Sequence, residues 1–173
     1  MLVDSHCHLD FSDFKEDMSL VMQRAEQSGI GIIQTICTRM SQFPDVLALT
    51  SQKNNLYCSI GIHPHNVEDE PEFKTEEFVK KIDANGKVIG VGETGLDYFY
   101  ENSPRELQRA SFVTHIDVAR KTGLPVIIHS RDADEDTIQI LIEESGKGHF
   151  PGLIHCFTSG RKLAKTALDC GLS

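Results

Sequence analysis

The apolar run that opens the chain ends in "SHCHLD", which sets His6 and His8 one residue apart. Side chains alternate faces along a strand, so both imidazoles project to one side while Cys7 projects to the other. Neutral imidazoles converging in this way suit a divalent metal. A lone pair of this kind is more often a plain surface feature, so residues elsewhere must decide. Three more side chains share the placement: Glu93 in "GVGETGLDYF", His129 in "VIIHSRDA" and His155 in "LIHCFTSG" each directly end an apolar run. Together they offer four imidazoles and one carboxylate. A carboxylate among imidazoles fits as a bridge between two metals ~3.5–4 Å apart, an arrangement able to clamp the attacking and leaving oxygens of a phosphoryl displacement. Glu93 is the expected bridge, and with it the catalytic group.

A second set reads as substrate contacts. His63 and His65 lie in "GIHPH" after a third apolar run, and Arg131 follows His129 by two residues. Arg131 offers a planar fork able to donate two parallel hydrogen bonds to a phosphate, and His63 one. The same residues read otherwise as a solvated loop, His65 most readily. Asp97 in "GLDY" either orients a metal-bound histidine or caps a turn. His115 and His149 fall outside the pattern and read as structural. Cys7 and Cys156 alternate away from the ligands and read as core.

Six short apolar runs must position these groups: 2–6, 30–37, 56–62, 87–93, 124–130 and 152–157. Segments with helical spacing separate them, such as Leu107, Phe112, Ile116 and Ala119 before Gly123. Alternation of this kind implies parallel strands covered by helices, as an open sheet or a closed barrel. Two features favour an α/β fold of the TIM-type (β/α) barrel. No glycine-rich phosphate loop follows the first strand, and chemistry-bearing residues end several different strands. A full eight-unit barrel takes about 250 residues. The expectation is therefore one domain over 1–173 with six of the eight units, truncated before the last two strands, because the sequence stops at "CGLS", where a seventh would start. Such a barrel has open edges. Further chain is expected to complete it or a second copy to cover it, by self-association through the open edge.

Composition limits the partners. With 39% apolar and 25% charged residues the chain is an ordinary globular one, not a disordered one. A net charge of −9 excludes coating of nucleic acid through a broad basic surface, so any such contact must be local. The five cysteines form no CxxC pair, which argues against a thiolate zinc site. No run approaches the ~18 apolar residues of a membrane span, and no signal-like N-terminus is visible. The expected location is the cytoplasm, with no membrane partner.

Taken in order, "DSHCHLD", "IGIHPH", "GETGLDY", "HSRDA" and "HCFTSG" resemble the TatD family of metal-dependent deoxyribonucleases, in the amidohydrolase-like barrel superfamily. The resemblance runs nearly end to end. It implies two divalent ions (Mg, Mn or Zn), one on His6, His8 and Glu93 and the other on Glu93, His129 and His155. It also implies phosphodiester hydrolysis of DNA, with His63 and Arg131 at the substrate phosphate. Family members carry a later "ETD"-type motif whose Asp completes the first ion site and activates water; this sequence lacks it, so weak activity is expected of residues 1–173 alone. The alternatives are a metal-dependent amidohydrolase acting on an amide, ester or lactone, or a catalytically silent metal-binding fragment. Many amidohydrolases place a carbamylated lysine where this chain has Glu93, which weighs against the first of these.

Overall fold

A computed structural model describes residues 1–51 and 53–173. Strands and helices alternate in chain order: β1 (Leu2–Cys7), α1 (Met18–Gln27), β2 (Ile30–Thr35), α2 (Phe43–Thr50), β3 (Leu56–Ile60), α3 (Thr75–Asp83), β4 (Val88–Asp97), α4 (Arg105–Thr122), β5 (Val126–Arg131), α5 (Asp134–Lys147), β6 (Gly152–Ile154) and α6 (Arg161–Asp169). The strands form one parallel sheet in the order β1-β2-β3-β4-β5-β6. This is the half-barrel arc of a TIM-type α/β fold. The sheet curls enough that the imidazoles of His6, near the end of β1, and His155, just after β6, stack with centroids 3.9 Å apart. Beyond β6 the ladder continues through Ser173, which donates to the Gly152 carbonyl and accepts from the Ile154 amide, both at 3.0 Å. At the opposite edge Leu2 and Val3 are exposed. None of the described helices is long and apolar enough to cross a membrane.

The buried stripe of α4 anchors the middle of the sheet. Gln108, Phe112, His115, Ile116 and Ala119 recur at helical spacing and are all buried, and α4 packs on β4 and α3. The helix stops at Gly123, whose φ of +71° is a left-handed cap. Two of the stripe residues are polar, and both pin strand ends. Gln108 accepts from the Asp97 amide at 2.8 Å and donates to the Asp97 and Ser103 carbonyls. His115 accepts from the Ile62 amide at 3.0 Å through Nε2 and donates to the Ser111 carbonyl through Nδ1. Its structural role therefore matches the sequence reading.

Two sequence expectations need correction. Glu93 does not end the fourth strand, because β4 runs on to Asp97. A register shift between Val91 and Thr94 lets the backbone turn Glu93 out of the ladder and then resume pairing with β5. Glycine makes this possible. Gly92 has φ +131°, and a Cβ there would lie 2.6 Å from the Ile127 carbonyl oxygen. Cys156 is exposed rather than core: β6 ends at Ile154, so strand alternation no longer applies, and Cys156 takes a positive φ of 46° beside the cleft.

Burial lowers the His115 pKa from 6.5 to about 4. Its neutral form is favoured in the folded chain, so its contribution is complete above pH 6.5 and lost as pH falls toward about 4. The shift corresponds to about 3 kcal/mol. Urea unfolding at a series of pH values should show His115→Gln losing less stability than the parent across this window; parallel curves would contradict the assignment.

Candidate metal centre

Glu93 lies at the centre of the mouth, 3% exposed, with its amide donating to the Cys37 carbonyl at 3.1 Å. Imidazoles surround it, divided between its two oxygens. Oε1 faces His155 Nε2 at 2.7 Å and His129 Nδ1 at 3.2 Å. Oε2 faces His6 Nε2 at 3.3 Å and His8 Nε2 at 3.9 Å. The five side chains singled out as ligands thus converge from β1, β4, β5 and the residue after β6. His8, Glu93, His129 and His155 line a cleft of about 1030 Å³ that also includes His63, His65 and Arg131.

Burial opposes ionisation of Glu93, but the imidazoles of His129, His155 and His6 outweigh it and hold the carboxyl well below its usual range. A charged carboxylate must then satisfy several groups that cannot all be donors. His6 Nε2 approaches it to 3.3 Å yet lacks the angle for a hydrogen bond, and together with His8 Nδ1 it is buried without a partner. On the other side, Asp97 Oδ2 lies 3.0 Å from His129 Nε2. A carboxylate there accepts a hydrogen bond from Nε2–H, so whenever His129 is neutral its Nδ1 turns a lone pair toward Glu93. Burial lowers the His129 pKa, but Glu93 and Asp97 more than offset it, and the net shift is upward. Positive charge between each imidazole pair and Glu93 relieves both conflicts. The donor set, imidazole with one carboxylate, suits divalent zinc or manganese.

His63 occupies a different position from the ligands. Its Nε2 lies 3.6 Å from Glu93 Oε1, close enough to form a geometric triad with Glu93 and His129. Its Nδ1, however, accepts the His65 amide at 3.2 Å, which places the ring proton on Nε2. Burial pulls the His63 pKa down to about 3, so the ring is neutral and offers one N–H into the cleft. In this tautomer Nε2 is a hydrogen-bond donor into the cleft. Arg131 stands at the rim, its guanidinium carbon 4.2 Å from the Phe99 ring centroid and 4.8 Å from that of Tyr100.

Asp97 contacts two histidines and caps a turn at once. Oδ2 takes His129 and also His65 Nε2 at 2.8 Å, while Oδ1 caps the following turn by accepting the Phe99 and Tyr100 amides. Burial opposes its ionisation, but the Tyr100 amide and the two histidines hold its pKa below the usual carboxylate range. Sequence reasoning undervalued His65, although "HPH" repeats the alternation seen at His6 and His8. It also passed over Gln108, whose only signal was a polar side chain on an apolar helical stripe.

The strands form a parallel half-barrel with histidines near or just past the ends of β1, β5 and β6 and a buried glutamate between them. The TatD related DNase profile matches residues 3–173, and the chain belongs to this family. It is 38% identical over 178 residues to an uncharacterized metal-dependent hydrolase of Buchnera aphidicola, covering 98% of this chain and 67% of that protein. It is 36% identical over 173 residues to YcfH of Escherichia coli K12, also named an uncharacterized metal-dependent hydrolase, covering 98% and 64%. The crystal structure of YjjV, a TatD homolog from Escherichia coli K12, superimposes with a TM-score of 0.87 at 30% identity, over 99% of this chain and 66% of that one. The chain spans about two thirds of the length of these relatives.

Calorimetric titration with Zn2+ should show high-affinity binding to the parent and its loss when His6→Ala and His129→Ala remove one ligand from each side of Glu93. Asp97→Asn should weaken affinity about 10–100-fold by freeing the His129 ring. Unchanged stoichiometry and affinity in the double variant would refute the ligand assignment.

Proposed function

We propose that this protein is a hydrolase that cleaves phosphodiester bonds in DNA, using two divalent ions held on either side of Glu93. The observation that carries this reading is the division of one buried carboxylate between two pairs of imidazoles, His6 with His8 on Oε2 and His129 with His155 on Oε1. Bound there, the ions would supply Lewis acidity toward a phosphoryl oxygen and ease deprotonation of water. Membership of a family described as TatD related DNase favours DNA as the substrate.

The chain's own residues do the rest. Glu93 stays ionised and shared, while Asp97 holds the His129 ring with Nδ1 toward the centre. His63 donates its Nε2 proton to a phosphate oxygen. Arg131 takes the same or the adjoining phosphate through its planar fork, and among the described residues it forms no ion pair that would compete. With a net charge of −9, attraction for a polyanion must come from this cleft, where Lys15 and Arg131 would add to bound cations.

Metal-loaded protein completed with the two further barrel units should hydrolyse oligodeoxynucleotides, residues 1–173 alone only weakly, and EDTA should abolish the reaction. Arg131→Lys should lower turnover about tenfold or more, since a point charge cannot reproduce two parallel hydrogen bonds. Intact DNA alongside cleaved esters or lactones would move the assignment to an amidohydrolase.

A further inference from the structure

Large aromatic side chains normally retreat from water, yet Phe11 (45% exposed), Phe99 (55%), Tyr100 (53%) and Phe157 (42%) do not. All four follow the C-terminal ends of strands, so they stand on the face of the sheet that holds the metal centre. Phe11 and Phe157 adjoin β1 and β6, the two outer strands. Phe99 and Tyr100 follow β4, in the middle of the sheet, where no open edge accounts for their exposure.

These two rings are held in place. They meet edge to face, with centroids 4.7 Å apart and an interplanar angle of 89°. Their amides donate to Asp97 Oδ1 at 3.1 and 2.9 Å, so the carboxylate that orients His129 also fixes the turn that carries them. Tyr100 packs its ring edge to face with His65, centroids 5.3 Å apart, and Arg131 lies over both rings. Arg131 also lines both the main cleft and a neighbouring one of about 640 Å³ between the ends of β5 and β6. The result is a water-facing pair of rings set at right angles, each with an exposed π face and with the Arg131 guanidinium packed against them, beside the cleft that holds Glu93.

We propose that Phe99, Tyr100 and Arg131 form a nucleobase platform. The base of a nucleotide adjoining the scissile phosphate stacks on the exposed aromatic surface, and Arg131, held by cation–π contact, turns its N–H edge to the phosphate. Stacking of this kind accepts any base, because every base has a π face. The platform would therefore set where the backbone lies without imposing a sequence. The inference rests on the DNA reading above and adds to it the part of the substrate recognised and the residues that recognise it.

The test is equilibrium binding, measured by fluorescence anisotropy on Zn2+-loaded protein. Two short fluorescein-labelled oligomers with cleavage-resistant phosphorothioate linkages serve as probes: oligothymidylate, and an abasic strand of equal length and charge. The parent should bind the thymidylate about tenfold more tightly than the abasic strand. The variant combining Phe99→Ala and Tyr100→Ala should bind both at the abasic level, and Phe99→Tyr should keep the preference. Equal binding of both oligomers by the parent, or a preference that survives the double alanine variant, overturns the platform and leaves the DNA reading standing. Failure of the parent to bind either oligomer overturns the DNA reading and the platform with it. The comparison of the two oligomers on the parent does not depend on any variant folding.

Discussion

A buried carboxylate is the constraint around which the mouth of this sheet is arranged. Removing the charge of Glu93 from water costs several kcal/mol unless the surroundings repay it. Here the repayment comes from four imidazoles carried by three strands, β1, β5 and β6, each in the C-terminal part of its strand or on the residue after it. The compensation is incomplete for protein alone. The partners of His129 oblige its neutral ring to face the carboxylate with a lone pair, and His6 comes close without bonding. A cage that satisfies its own carboxylate would have turned those nitrogens into donors. When neutral, these nitrogens face the carboxylate as acceptors, and a cation between them would relieve that conflict.

Positioning such a cage requires backbone that departs from regular strand geometry in a controlled way. The register shift in β4 rotates Glu93 into the mouth and still lets Thr94–Asp97 pair with Ile128–Arg131. Close backbone approach sets the side-chain size allowed nearby: a Cβ on Gly61 would lie 2.5 Å from Gly92 Cα. Downstream of the shift, Gln108 of α4 fixes the Asp97 backbone, and the Asp97 side chain fixes His65, His129 and the aromatic turn. A single helix residue thus stabilises the ligand set through two intermediates, without touching the centre.

Much of this was legible in the sequence, and the reason is periodicity. Six apolar runs alternating with helical spacing are enough to imply parallel strands, and His6, His8, His129 and His155 each lie where such a run gives out. Glu93 was correctly placed in space and wrongly placed in its strand, since a bulge has no period of its own and Gly92 could be read equally as the end of β4. Cys156 was misread for a related reason: alternation was extended one turn past the point where β6 stops. His63 shows the limit of residue type. Its place in "GIHPH" suggests either a ligand or a contact, and only the bond from the His65 amide to its Nδ1 separates the two. That bond depends on the local turn, which spacing does not encode.

Anomalous diffraction from crystals soaked in Mn2+ or Zn2+ tests the central claim most directly. The account predicts two peaks flanking Glu93, one within bonding distance of His6, His8 and Oε2, the other within bonding distance of His129, His155 and Oε1, with His63 bonded to neither. Ions that ignore Glu93, or that take His63 in place of His155, would contradict it.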